Sequence, residues 1–377
     1  MATVTSENHF QVIVVGGGPA GSSLARLTAK AGLRTLIIER ACHPRTKPCG
    51  GMLSYKAVQL FGSIFDTLPL DSVACGRSGA FGLFHNGAMV GESDSRYTAV
   101  FVRRPEFDAA LLACAQDAGC TVVQGDAVVS VCASSGLVTF ASGATFRADV
   151  IVGADGVRSA VGRSAGLALS REDMGFGIIN EVPRSRLTAD TKLWRNGTAP
   201  QVHFGAVEWG YGWVFPKGDC LHIGVGGLTS SNRRFDLLMD RFVSSVLPGV
   251  DTSGLERQGH LLPLGNFLAD PGKGRVLLIG DAAGFADPIT GEGLAFAFES
   301  AKLAAQAIIT GIGGRDQDQP ARRYCADAKK LIIKPLTSSM RARPLLYSAS
   351  NLPRAMNRLR RDPSLVAAYQ EIGRAHV

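Results

Sequence analysis

The sequence predicts an α/β fold: a mostly parallel sheet with a nucleotide-binding turn, an inserted domain of mixed β-sheet, and a helical C-terminal segment. Three observations predict it. Val12-Ile13-Val14-Val15 is β-branched throughout and reads as a strand buried on both faces, running directly into a glycine-rich turn. Two later apolar runs, Asp149–Val152 and Arg275–Ile279, also end at an acid beside glycine, in Gly153-Ala154-Asp155-Gly156 and Gly280-Asp281. Between them, from Phe176 to Gly227, the pattern changes to alternating, glycine-rich β sequence.

The first turn carries Gly16, Gly18 and Gly21 in G-x-G-x-x-G spacing, with Pro19 and Ala20 between the last two. The first glycine permits a tight turn, the second lets backbone approach a pyrophosphate, and the third lets helix and strand pack closely. Ser22 to Ala31 reads as a helix closed by Gly32, its N-terminal N–H groups suited to phosphate. A second strand, Thr35–Ile38, ends at Glu39, 18 residues after Gly21, where an acid binds a ribose hydroxyl. A carboxylate there repels a 2′-phosphate, so the turn suits FAD or NAD rather than NADP.

Arg40 leads into the loop Lys47-Pro48-Cys49-Gly50-Gly51-Met52, whose paired glycines permit close approach to a planar ligand. Residues 77–102 read as three short strands separated by glycines. Arg104-x-x-Phe107-x-x-x-Leu111-Leu112 has helical spacing and stops at Gly119; strands follow at Thr121–Val123 and Val128–Val131, and a hairpin leads into Asp149. Asp155 falls at the carboxyl edge of the sheet, where open α/β folds bind ligands. Tyr211, Trp213 and Phe215, followed by Pro216, alternate along a strand and share one face, which suits either sheet core or a ligand wall. Asn232 to Leu247 reads as a helix. The loop Pro288-Ile289-Thr290-Gly291-Glu292-Gly293 opens a helix to Ile309, whose N-terminus favours negative charge. Beyond Arg322 the chain reads as helices broken by Pro335, Pro344, Pro353 and Pro363.

At 377 residues and 46% apolar, the chain suits two or three domains with real cores. The first ten residues lack a secretory apolar core, and no apolar run reaches the ~20 residues a membrane helix needs. Eight scattered cysteines without a C-x-x-C pair argue against a metal site or a disulfide framework and for a reducing cytoplasm. The net charge is +8, and residues 328–361 hold nine Lys or Arg and no acid. That segment suits an anionic membrane surface or a solvated helical face. Nucleic acid is not expected, because no recognition motif accompanies the charge. Glu371–Val377 reads as a non-native tail of the kind a sequencing adapter encodes and is set aside.

The three glycine–acid turns, with Pro288-x-x-Gly291-x-Gly293, resemble in order and spacing the three FAD fingerprints of the p-hydroxybenzoate hydroxylase-like flavoproteins. Lys47-Pro48-Cys49-Gly50-Gly51 and Tyr211-x-Trp213-x-Phe215-Pro216 are similar to the flavin loop and substrate-cavity signature of the geranylgeranyl reductase branch. The resemblance implies a Rossmann-like FAD-binding domain made of 8–75, 100–165 and 257–311. A substrate domain would comprise 76–99 and 166–256, with C-terminal helices over 312–370. It implies that Gly16, Gly18, Pro19, Ala20 and Gly21 line the pyrophosphate, Glu39 with Arg40 holds the adenosine ribose, and Arg104 lies near the adenine-side phosphate. Asp155 would support the pyrophosphate region, Gly280-Asp281 the ribitol, Pro288, Gly291 and Gly293 the flavin pyrimidine, and Cys49, Gly50 and Gly51 the flavin face. Tyr211, Trp213, Phe215 and Pro216 would line a cavity for a polyprenyl (isoprenoid) lipid whose double bonds are reduced, with NAD(P)H as transient electron donor. Aromatic faces at Tyr211 and Trp213 would stabilise positive charge, and Cys49 or Tyr211 would relay a proton. Two other readings share the FAD motifs: an aromatic-ring monooxygenase, and a non-catalytic flavin- or lipid-binding electron carrier.

Overall fold

The computed structural model describes residues 8–172, 174–187, 199–312, 314, 316 and 318–370. The predicted tail 371–377 lies outside them. Five parallel strands form the first sheet: β1 (His9–Val15), β2 (Thr35–Glu39), β6 (Thr121–Gln124), β9 (Thr145–Gly153) and β16 (Val276–Leu278). β1 is central, with Val12 opposite Thr35 on one side and Val150 on the other. β15 (Gly272–Lys273) adds an antiparallel edge, and the hairpin β7 (Val128–Cys132)–β8 (Leu137–Phe140) continues from β9. Val12, Ile13, Val14, Leu36, Ile37, Ile151, Val152 and Leu277 are completely buried, as unbroken apolar runs demand of strands covered on both faces. The covering helices include α1 (Pro19–Lys30), which packs against both α3 (Arg104–Asp117) and α6 (Leu294–Gly311). α2 (Tyr55–Ile64) lies against α6, and the short α4 (Ala160–Ala165) follows the second acid turn.

The second sheet runs β14 (Arg257–Leu262), β10 (Gly175–Pro183), β13 (Cys220–Leu228), β12 (Gly210–Lys217), β11 (Gln201–Phe204), β4 (Ala74–His85), β5 (Ala88–Val102) and β3 (Met52–Leu53). All its pairings are antiparallel except β11 with β4. β3 and β14 thus join this sheet, although the predicted boundaries put residues 52–53 and 257–262 with the first. One face is covered by α5 (Phe235–Val246): Val214, Ile223 and Val225 pack on Met239 and Phe242. A Cβ on Gly212 would fall 2.5 Å from the Phe242 ring, so glycine sets how closely helix and sheet approach.

Two sequence expectations are corrected. Residues 77–102 form two long strands, not three short ones. Gly79, Gly82 and Gly91 lie inside β4 and β5, whose pairing has three register shifts, and the chain turns only at Asn86-Gly87, both with positive φ. Pro335 and Pro344 do not break helices. α7 (Gln319–Ala328), a π turn (Lys329–Ile333) and α8 (Lys334–Tyr347) run on without interruption. The wider π turn absorbs the register change that the missing Pro335 N–H demands. Pro344 is carried inside α8, where buried Leu336, Ser339 and Tyr347 hold the helix in place. Pro353 and Pro363 do stand at helix starts, in α9 (Leu352–Arg361) and α10 (Pro363–Gln370). These helices pack Met356, Leu359, Val366 and Tyr369 onto Phe81, Leu83, Val202 and Phe204 of the second sheet. Among the described residues no helix is long and apolar enough to cross a membrane.

Candidate functional site

A cavity of about 860 Å³ lies between the carboxyl edge of the first sheet and the Trp213 face of the second. At one end is the glycine turn. Gly16 has φ +107°, and a Cβ there would fall 2.3 Å from the Ala154 carbonyl oxygen. A Cβ on Gly21 would sit 1.9 Å from Gly16 O, so α1 and β1 meet only because both are bare. Gly16, Gly18, Pro19, Ala20, Glu39 and Arg40 line the cavity, while Gly21 lies behind it. The buried Glu39 carboxylate accepts the Gly17 N–H at 2.7 Å and the Ala41 N–H at 3.0 Å, with Arg45 3.8 Å away. Burial works to raise its pKa, but His43, the two amides and Arg45 overcome this and hold it at about 2. A permanent carboxylate therefore sits beside the bare turn.

The other two acid turns differ in what their side chains offer. Asp155 lines the cavity but its carboxylate caps α4, accepting Ser159 Oγ at 2.6 Å and the Ala160 and Val161 N–H groups at 2.7 and 3.2 Å. Its backbone edge, not its charge, faces the space. Asp281 pairs with Lys47 at 2.9 Å across 234 residues of chain. Burial opposes ionisation of Asp281, and Lys47 reverses the balance, so its pKa falls below the ordinary value. Gly291 and Gly293 line the cavity ahead of α6; Gly280 and Pro288 stand behind it, Gly280 in a tight turn against Ala20.

At the far end Cys49, Gly50 and Gly51 face the aromatic strand. A Cβ on Gly51 would strike Val102 O at 2.3 Å, and one on Gly50 the Phe215 ring at 3.0 Å. Tyr211, Trp213 and Phe215 all line the cavity with ring centroids about 6 Å apart, whereas Pro216 is on the opposite face of β12 and does not. The indole N–H of Trp213 donates to His222 Nδ1 at 3.1 Å, and the Tyr211 hydroxyl donates to Thr290 O. Tyr369 of α10 closes the apolar end. Arg104 is buried and bidentate to Asp108, both contacts 2.7 Å. Burial raises the Cys49 pKa, but Arg104, the Gly51 N–H, Lys217 and Lys47 together lower it below the ordinary thiol value.

An FAD binding domain family matches residues 9–207, more than half of the chain. The chain is 32% identical to menaquinone reductase of Mycobacterium tuberculosis, over 80% of this chain and 77% of that one. It is 30% identical to the chloroplastic geranylgeranyl diphosphate reductase of Oryza sativa subsp. japonica, over 86% of this chain and 73% of that one. The chain belongs to the geranylgeranyl reductase family of FAD-dependent oxidoreductases. The fold agrees: a geranylgeranyl bacteriochlorophyll reductase-like protein of Thermoplasma acidophilum superposes with TM-score 0.82 at 24% identity, over 94% of this chain and 92% of that one.

The cavity of this reductase fits the dinucleotide its family binds. Side chains are absent where phosphate would approach backbone: beyond the cavity, a Cβ on Gly18 would meet nothing closer than Arg45 Nη2 at 3.2 Å. The buried Nε2 of His260, on β14, has no hydrogen-bond partner among the described residues, and His260 lines the same space beside Lys47 and Asp281. Burial, with Lys47, lowers its pKa to about 4, so it is a neutral imidazole. Sequence reasoning assigned no role to His260, Lys217, His222, Arg45 or Glu292. Lys217 is buried beneath the Cys49 loop, its Nζ 3.4 Å from Cys49 O. The Lys217 and His222 positions read as ordinary strand residues, and only the register of β12 with β13 brings His222 to Trp213. Glu292 was visible only as the middle residue of Gly291-x-Gly293.

Proposed function

We propose that the chain reduces isolated carbon–carbon double bonds of a polyprenyl lipid, with NAD(P)H as transient donor to the bound FAD. The observation that carries this reading is the aromatic wall: Tyr211, Trp213 and Phe215 enclose an apolar chamber continuous with the nucleotide turns. Reduced flavin supplies a hydride equivalent, which an unactivated alkene accepts poorly. The chain's own residues must therefore stabilise positive character at an alkene carbon. Ring faces in a dry chamber do this, at about 0.5–2 kcal/mol per contact. Gly16, Gly18, Pro19 and Ala20 would hold the pyrophosphate on the N-terminus of α1, and Glu39 with Arg40 the adenosine ribose. Asp281, kept anionic by Lys47, would accept hydroxyls of the ribitol chain, while Gly293 would present its amide at the start of α6, the Gly291 N–H being already donated to Asp287 O at 2.9 Å. Cys49-Gly50-Gly51 would lie over the isoalloxazine. Arg354, Arg358, Arg360 and Arg361 are exposed on α9, which packs against β5, the strand carrying half-exposed Met89, and would dock the protein on an anionic membrane that supplies the lipid.

The test presents a geranylgeranyl lipid to the FAD-loaded protein in anionic and in neutral vesicles, with NADPH and without oxygen. The expected product has gained two hydrogens per reduced bond by mass spectrometry, faster from anionic vesicles. NADPH oxidation that requires oxygen and leaves an added oxygen atom in an aromatic product would replace this reading with hydroxylation.

A further inference from the structure

We propose that Glu292 is the proton donor of the reduction, delivering its carboxylic proton to the alkene carbon next to the one that receives hydride. The inference rests on the function proposed above. Glu292 stands between Gly291 and Gly293, lines the cavity, and is half-buried by virtue of facing that interior space. One oxygen accepts the Ser54 hydroxyl, and the other has no hydrogen-bond partner among the described residues. Its neighbours come from several elements. Asp287, on its own loop, has a carboxylate already engaged by the Ile289 and Thr290 N–H groups at 2.9 and 2.8 Å. Glu299 of α6 is tied to Lys56 of α2 at 2.7 Å, so that lysine is not free to pair with Glu292. Tyr211 of β12 and Cys49 complete the cluster.

Burial raises the Glu292 pKa most. Ser54 and Lys56 pull it down, Asp287 and Glu299 push it up, and it stands at about 7. The group can then be protonated before the step and ionised after it near neutrality, as a general acid requires. The two residues expected from sequence to relay the proton are placed less favourably. The Tyr211 hydroxyl is already donated to Thr290 O, and burial raises its pKa further. Three cations converge on Cys49 and favour its thiolate.

The bookkeeping closes as one two-electron reduction. The alkene π pair forms the new C–H bond with the Glu292 proton, and the O–H pair remains on the carboxylate. The adjacent carbon takes the hydride equivalent of the proposed activity, whose reductant is the reduced flavin. Water at the cavity mouth restores the proton.

The experiment compares wild type, Glu292→Gln and Ser54→Ala, all FAD-loaded, in single turnover with a geranylgeranyl lipid from pH 5 to 9. Wild-type rates are expected to fall tenfold per pH unit above about 7. Glu292→Gln is expected to lose about 10²-fold or more and to lose that alkaline limb, with FAD affinity unchanged. Ser54→Ala, lacking the hydroxyl that stabilises the carboxylate, is expected to move the limb to higher pH. Independently of turnover, infrared difference spectra of apo and loaded protein should show a protonated-carboxyl band that titrates near pH 7 and is missing from Glu292→Gln. A Glu292→Gln rate within threefold of an active wild type, an unmoved limb in Ser54→Ala, or a carboxyl already ionised at pH 5 would each overturn the inference. A wild type that reduces no alkene at all would count against the parent function instead.

Discussion

Trp213 and Gly224 should behave as a coupled pair. Trp213→Phe removes the indole N–H and strands His222 Nδ1, on a residue only 1% exposed. Leaving a buried acceptor unpaired costs ~1–3 kcal/mol. The substitution also deletes the outer ring atoms that lie over Gly224, adding ~1 kcal/mol for the void. A loss of ~2–4 kcal/mol is expected from the two. Gly224→Ala alone places a methyl 2.2 Å from Trp213 Cζ2, 2.6 Å from Cε2 and 2.7 Å from Cη2, an overpacking that costs ~1–3 kcal/mol. A phenyl ring reaches only about as far as Cε2 and lacks Cζ2 and Cη2, so in the Trp213→Phe background two of the three overlaps disappear and the methyl partly fills the void, regaining up to about 0.8 kcal/mol for one buried carbon. The double mutant should therefore be at least ~1 kcal/mol more stable than the sum of the single changes predicts. Urea unfolding of the four proteins at one fixed FAD excess measures this, since bound cofactor itself shifts the midpoint. Additivity within ~0.5 kcal/mol, at constant m value, would refute the packing assigned to the aromatic wall.

Gly16→Ala should abolish FAD retention. The methyl meets Ala154 O at 2.3 Å in a backbone region that costs an L-residue up to ~3 kcal/mol, and purified protein should lack flavin absorbance. Normal flavin content in that variant would contradict the turn geometry. His203 is 8% exposed, and burial lowers its pKa to about 4, against about 6.5 unfolded. Below pH 6.5 the unfolded chain binds a proton that native His203 refuses, so its stabilising effect is present above that pH and is lost as pH falls toward 4. Comparing wild type with His203→Phe isolates this group. Wild type should lose ~1.4 kcal/mol more per pH unit than the variant between pH 6 and 5, read from urea midpoints. Parallel curves would show that the site is not proton-linked.

The first sheet and its three turns were legible in the sequence because their signals are local. A strand covered on both faces must be continuously apolar, and bare glycines must recur at fixed offsets where backbone meets backbone or phosphate. The aromatic face of β12 was equally readable from alternation, but Pro216, expected to line the cavity with it, falls one residue out of phase and lies on the strand's other side. What escaped reading depends on partners distant in sequence. Lys47 meets Asp281 only after the first sheet has closed. Glu292 acquires its character from Ser54, Lys56 and Glu299, which no spacing connects to it. Asp155 looked like the other two acids, yet Ser159 four residues on claims its carboxylate for a helix cap. Pro335 and Pro344 misled for the opposite reason: a strong local signal for a helix break was outweighed by tertiary packing and a π turn.

The weaving of the two sheets has a consequence for how the molecule comes into being. β4 must wait for β11, β1 must wait for β9, and β9 in turn for β16, so neither layer finishes while the other is unborn. A ribosome has to pass Val276 before the parallel sheet has its fifth strand, long after its first apolar strands have emerged. Nascent chains thus spend most of their synthesis with sticky edges uncovered, and no contiguous fragment would carry either half of the pocket. Recombinant yield should accordingly depend on chaperone capacity and on a ready supply of flavin to seal the finished chain.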